Sequence, residues 1–260
     1  MKQISADCSR VIAAFIAVVM SLAGCEGDRG PAGPPGLSPI YLSGSIAQES
    51  YNAPVAAQIL VYESPCIPSA TINGLDCWLS NYGQYSHFTF GLSDSSFHPG
   101  DDFNVEVQFQ DPEGGPALAY ADVVLPDSFE ITSHDSDLAR IPIGDALEVR
   151  WSASPGANCY PIEFEFWYNY YDSPGSSQSF RMRLDSVLTD TVLLFDAPTL
   201  FPNLDDIVSL SPYTSYNGWF NVWAQSGPWQ MGDPSNVQGD GDGMISGRTF
   251  GGHLTLLVSE

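Results

Sequence analysis

From Ile40 onward the chain alternates apolar and polar residues over short stretches separated by turn residues. Phe103, Val105, Val107 and Phe109 fall on one side of a strand, and Asn104, Glu106 and Gln108 on the other. His87, Thr89 and Gly91 alternate in the same way with Phe88, Phe90 and Leu92. This period of two is that of half-buried β-strands. Ala57–Tyr62 is almost continuously apolar, as a strand covered on both faces would be. Further strands are predicted near Tyr41–Ile46, Ser69–Ile72 and Ala117–Leu125. His98-Pro99-Gly100-Asp101 and Asp111-Pro112-Glu113-Gly114-Gly115 are the turns between them. No long stretch repeats apolar residues at helical spacing.

The clearest hairpin lies further on. Tyr160, Ile162, Phe164, Phe166, Tyr168 and Tyr170 share one face of a strand; Asp172-Ser173-Pro174-Gly175 turns it; Phe180, Met182 and Leu184 return on the same face. A register centred near Pro174 sets Phe166 against Met182 and Phe164 against Leu184. On the other face it sets Glu165 against Arg183 and Trp167 against Arg181, an opposite-charge pair and a cation–π pair. A slip of one residue would spoil both faces together.

Pro126-Asp127 opens a second unit. Leu147, Val149 and Trp151 alternate with Glu148 and Arg150, and Ser154-Pro155-Gly156-Ala157 leads into Tyr160. Phe220, Val222 and Ala224 followed by Ser226-Gly227 form a later strand and turn. This pattern resembles a fibronectin type III domain. The resemblance implies an Ig-like β-sandwich with Trp151 in its core and a last strand over His253–Val258. The unit is longer than such a domain, and 196–216 is the evident insertion.

The N-terminus reads differently. An apolar run from Val11 follows Lys2 and Arg10 and ends in Leu22-Ala23-Gly24-Cys25. It is too short to span a bilayer, which takes roughly 20 residues. The tetrapeptide resembles the lipobox of bacterial lipoproteins. That family resemblance implies removal of residues 1–24, a lipid on Cys25 carrying several acyl chains, and a lasting tether to the bilayer. Glu26, in place of the aspartate that retains many lipoproteins at the inner membrane, points to the outer membrane. Residues 27–36 then run Gly27-Asp28-Arg29, Gly30-Pro31-Ala32, Gly33-Pro34-Pro35, Gly36, collagen-type triplets. They are too few to hold three chains together, so trimerisation is not expected, and 25–39 reads as a Pro-stiffened spacer.

Charge narrows the partners. The chain has 8 basic against 31 acidic side chains, a net charge of −23. Lys2 is its single lysine, so the part beyond residue 24 has none. Such a surface repels nucleic acid and anionic lipid, and neither is expected as a partner.

Of 5 cysteines, Cys8 leaves with the signal and Cys25 takes the lipid. Cys66 and Cys77 flank an Asn73-Gly74 turn in an exported chain and are expected to form a disulfide. Cys159 is read as a small buried apolar residue.

Candidate chemistry is sparse. Gln238–Gly243 resembles part of a calcium loop through Asp240 and Asp242. With Gly243 at the sixth place, however, Gln238 and Thr249 stand where the anchoring acids belong. Asp135 and Asp137, beside His134, and the pair Asp205-Asp206 are further oxygen donors. Surface acids without metal are the expectation at all of these positions, and no cofactor is expected beyond the lipid. The four histidines are scattered, with no HExxH, and Gly91–Ser95 lacks the second glycine of a nucleophile elbow. No catalytic residue is assigned. Glu163 and Glu165 share a strand face, where a salt bridge to Arg183 is expected. Trp167 and Tyr171 lie on that outer face and could stack on sugar rings, with Trp219 or Trp229 beside them, unless Arg181 or the insertion covers Trp167.

The sequence therefore predicts an all-β chain. Two antiparallel β-sandwich domains, 40–126 (Ig-like) and 127–260 (fibronectin type III-like, with the insertion near 196–216), stand in tandem after a signal peptide and a Gly/Pro-rich extended linker. The expected role is that of a non-enzymatic, lipid-anchored envelope protein presenting a surface to a protein or glycan partner. The alternatives are a carbohydrate-binding module and, with its site in the insertion, a hydrolase.

Overall fold

The computed structural model describes residues 40–259 except 65–66, 83–87, 112, 212–215 and 229–232. The signal peptide 1–24, Cys25, the spacer 25–39, Cys66 and Trp229 lie outside the described residues.

Among the described residues nearly all regular structure is strand. The first group is β1 (Ile40–Gln48), β2 (Val55–Tyr62), β3 (Ser69–Ile72), β4 (Leu75–Asp76), β5 (Trp78–Tyr82), β6 (Phe88–Asp94), β7 (Asp102–Gln110) and β8 (Pro116–Val124). The second is β9 (Leu138–Pro142), β10 (Leu147–Arg150), β11 (Tyr160–Ser173), β12 (Ser176–Leu188), β13 (Val192–Phe195), helix α1 (Ala197–Leu200), β14 (Ser209–Leu210), β15 (Gly218–Ser226), β16 (Gln238–Gly239) and β17 (Gly241–Ser259).

Period-two alternation becomes burial. Phe103, Val105, Val107 and Phe109 of β7 all turn inward. Across the ladder Val105 faces Ala121 and Val107 faces Ala119, so large residues meet small ones and the layer fills without clash. These residues join those of β1, β2, β6 and β8 in one core. A second core gathers Trp151, Phe164, Phe166, Tyr168 and Phe220 with α1 and the end of β17. Trp151 packs at 5.7 Å from the Tyr160 ring and 5.9 Å from that of Phe220. That is the central place the fibronectin-like pattern assigns to it.

The β11–β12 register is the one the sequence predicts: Phe166 faces Met182, Phe164 faces Leu184, Glu165 faces Arg183 and Trp167 faces Arg181.

The way the two sandwiches join departs from expectation. A ten-stranded sheet runs β12-β11-β15-β17-β1-β2-β6-β5 through both, with β14 beside β11 and β9 beside β17. A five-stranded sheet, β16-β8-β7-β3-β4, faces its one half, and the pair β10-β13 faces the other. The common member is β17, 19 residues long and about 60 Å from end to end. Its first part pairs parallel with β1, its middle antiparallel with β15, and its end parallel with β9. The expected last strand, His253–Val258, is only its second half, and the sheet is mixed rather than antiparallel throughout. Val237 and Ile245 sit in the first core, so a boundary at 126/127 divides the cores but not the chain. The stretch 241–249 contains three glycines, which obscure its alternation.

Gly251 makes the crossing possible. Between Val222–Gly252 and Trp223–Phe250 the ladder skips it as a bulge. Before the bulge odd-numbered Ile245 points into the first core; after it even-numbered Leu254, Leu256 and Val258 point into the second. One extra residue reverses the phase of the strand. A Cβ on Gly251 would lie 1.8 Å from the Phe129 ring, so any other residue there must displace that ring.

The segment between the sandwiches is strapped down. Thr249 Oγ1 donates to the Pro126 carbonyl at 2.5 Å, and the Ser226 hydroxyl donates to the Val124 carbonyl. Ser154 Oγ donates to the Asp127 carbonyl at 2.6 Å.

Candidate ligand-binding face

The outward side of the second sandwich's large sheet is built from odd-numbered residues. Across one row lie Asp185, Glu163, Asn221 and His253; across the next lie Arg183, Glu165, Trp219 and Thr255; Arg181 and Trp167 follow. Trp167 and Trp219 are half-buried and meet edge to face, ring centroids 5.4 Å apart. Tyr216, 48% exposed, meets Trp167 at 5.4 Å from the other side. Three aromatic side chains thus meet on this face, and Tyr216, the last residue of the insertion, covers part of Trp167.

Asn217 fixes this patch. It is 3% exposed. Its side-chain amide donates to the Trp167 carbonyl at 3.0 Å, its side-chain oxygen accepts from Val258 N at 2.8 Å, and its backbone carbonyl accepts from Trp167 N at 2.7 Å. One buried amide thereby ties β11 to β17 at the point where β15 begins. Gly218 follows at φ +150°, and a Cβ there would strike the Glu165 carbonyl at 2.0 Å. Neither Asn217 nor Tyr216 was signalled by the sequence. An Asn-Gly before a strand marks a turn, but nothing local says which strands it bridges.

The polar residues around the aromatics are held in pairs. Glu165, 3% exposed, accepts from Arg181 Nε at 2.7 Å and from a second guanidinium nitrogen. This corrects two expectations: Arg181 leans toward Glu165 rather than over Trp167, and Arg183 turns to Asp185 of its own strand at 3.0 Å. Diagonal neighbours on a twisted sheet lie within reach of long side chains, and here the diagonal partner displaces the facing one. Asn221 and Thr255 hydrogen-bond the two ring nitrogens of His253 at 2.8 and 3.2 Å. Glu163 stays exposed, without the salt bridge to Arg183. Tyr171 lies on the same face but about 13 Å further along the strand, where β14 pairs with it. It is not part of the aromatic group.

The remaining candidates are dispersed. Asp240 Oδ2 accepts from Leu118 N at 3.0 Å and Asp242 Oδ1 from Gly243 N at 2.7 Å. Asp240 is thus taken up by backbone at the β8 edge, and Asp242 by the backbone of its own strand. Asp135 and Asp137 sit in the loop before β9, beside the other core, and do not meet them. Among the described residues no three His, Cys, Asp or Glu side chains gather as metal ligands would. The described part of the insertion 196–216 is anchored by α1 and the residue after it. Asp196 caps α1 by accepting from Thr199 N at 3.0 Å, and Leu200 and Phe201 are buried in the second core. Asp205 and Asp206 are exposed on a short 3₁₀ turn.

Cys159 is buried as expected. Cys77 is a free thiol, half-buried against the first core, and its expected partner Cys66 is outside the described residues. No disulfide is present among the described residues. Burial, and Asp76 beside it, push the Cys77 thiol up from 9.0 to about 11. Burial does the same at Cys159, to about 11, with Asp233 adding and Arg248 opposing.

A second aromatic group lies where the sandwiches join. Phe250 meets Tyr51 and Trp223 edge-on at 5.3 and 5.7 Å, and the Arg248 guanidinium lies 4.2 Å from the centre of the Trp223 ring. The Tyr51 hydroxyl donates to the Gly251 carbonyl, pinning the bulge.

No family model matches the chain, and no curated protein matches it. Among solved structures it is similar to the fibronectin(III)-like modules of Clostridium thermocellum CbhA, at 8% identity over 81% of this chain and 93% of that one, with a TM-score of 0.27. It is similar to three N-terminal domains of the highly immunogenic outer capsid protein of bacteriophage RB49, at 9% identity over 85% and 71%, TM-score 0.27. A structure of a 1.5-MDa bacterial ice-binding adhesin matches at 12% identity over 86% and 67%, TM-score 0.22. These likenesses are loose; the all-β sandwich assignment rests on the sheets and cores described above.

Proposed function

We propose that the protein is a non-enzymatic module of a bacterial envelope, tethered through a lipid on Cys25, that binds glycan on the outer face of its second sandwich. The observation that carries this reading is the Trp167–Trp219–Tyr216 aromatic group, whose backbone Asn217 fixes. A pyranose ring packs its C–H face on an aromatic ring, and its hydroxyls need fixed donors and acceptors at the rim. Arg183, Asp185, Asn221 and His253 supply both kinds within the neighbouring rows. Glu165, the carboxylate facing Trp219, is buried and bound to Arg181. The spacer at residues 25–39 carries the sandwiches away from the bilayer. Glu26 favours the outer membrane.

Two measurements test the parts separately. Intact mass of the chain made in a Gram-negative host, beside Cys25→Ser, tests the anchor: an acylated N-terminal Cys25 supports it, and an unmodified one removes it. A glycan array probed with wild type and with Trp219→Ala tests the face. Binding that is lost in the variant supports it; an empty array, or binding equal in both, removes it.

A further inference from the structure

Among the described strands the sheet ends in one long edge. β12 is its terminal strand, 13 residues from Ser176 to Leu188, with no proline inside it. Its only partner among the described strands is β11, and the register shift in that pairing falls at the turn, outside the run from Phe180 to Leu188. Phe180, Met182, Leu184 and Leu188 are only partly buried against the second core. Sheets leave such an edge a template for another strand unless bulges, prolines or charges blunt it. Arg181 and Arg183 alone would blunt this one, but Asp185 follows two residues later on the same outward row.

That order is self-complementary. We propose that β12 is the seam of a symmetric dimer, pairing antiparallel with β12 of a second copy about a two-fold axis at Leu184. Facing residues then share a face of the joined sheet. On the outward row Arg183 faces Asp185 of the second copy, and by symmetry this pair occurs twice. On the inward row Leu184 faces Leu184 of the second copy, and Phe180 faces Leu188 twice, so each sandwich's half-covered rim gains an apolar neighbour. Moving the axis by one residue puts Arg183 against Arg183, or Asp185 against Asp185, so the charges select the register. With the axis normal to the sheet, the aromatic patches of both copies look the same way. The pairing does not depend on what those patches bind.

Sedimentation velocity of the detergent-solubilised full chain tests this. Wild type is expected to show a concentration-dependent dimer in the micromolar range. Arg183→Asp and Asp185→Arg, each of which places like charges in facing positions twice, are expected to weaken it about tenfold or more. The double variant R183D/D185R restores the opposite-charge pairs and should return to wild-type association. Both positions are exposed, and unfolding midpoints close to wild type verify that the fold is kept. A wild type that stays monomeric up to about 100 μM, single reversals that associate like wild type, or a double variant that does not recover would each overturn the proposal.

Discussion

At the scale of single residues, the physics is decided by what each side chain meets after the backbone is placed. Trp151, 3% exposed, touches Tyr160 and Phe220, and its indole N–H finds no acceptor. Trp151→Ala should cost about 3–5 kcal/mol in a denaturant titration, and Trp151→Phe clearly less, because it also removes an unpaired buried donor. The thiols give a pH prediction. In the folded chain both Cys77 and Cys159 favour the neutral form, raised from 9.0 to about 11. The stability this contributes is present below pH 9 and is lost as pH rises through about 11. Melting temperatures should fall over that window, and native Cys77 should alkylate slowly at pH 7.5. An oxidised Cys77, paired with Cys66, would show as one fewer titratable thiol in the unfolded, unreduced chain. Sequence placed Trp151 correctly because burial follows from alternation, and Cys159 because an unpaired cysteine behaves as a small apolar residue. It misassigned the partners of Glu165 and Arg183 because the choice between facing and diagonal contacts depends on sheet twist and rotamers, which alternation does not encode.

At the scale of elements, hairpins were legible and long-range pairings were not. The β11–β12 register follows from two faces that must both match, so local sequence suffices. The joining of β17 to β1, about 200 residues apart, left no such trace. Asn217 and the aromatic patch it orders depend on another non-local contact, that of the start of β15 with the end of β17, since its side-chain oxygen accepts from Val258 N. Gly251 is the element-scale test. Gly251→Ala must push the Phe129 ring aside or abolish the bulge, and should cost about 1–3 kcal/mol or more by chemical unfolding. A variant as stable as wild type would mean that the Phe129 ring yields to a side chain there without cost.

At the scale of the whole molecule, the two predicted cores exist, and β17 makes them one body. Removing residues 237–260 takes Ile245 from the first core and Leu254, Leu256 and Val258 from the second. That truncation should therefore abolish cooperative unfolding in both sandwiches rather than in the second alone. In the intact chain, amides of β7 and of β11 should exchange hydrogen with the same opening free energy. Two separate transitions would show that the sandwiches fold independently. A rigid double sandwich matters for function because it holds the Trp167–Trp219 patch without ordering cost on binding. The central claim is that this patch is the ligand face. The most direct measurement is titration of wild type, Trp167→Ala, Trp219→Ala and Trp223→Phe with an array-selected oligosaccharide, followed by calorimetry. The account predicts at least about tenfold weaker binding in the first two variants and wild-type affinity in the third, whose ring lies in the other aromatic group. Equal affinity in Trp167→Ala, Trp219→Ala and wild type would contradict it.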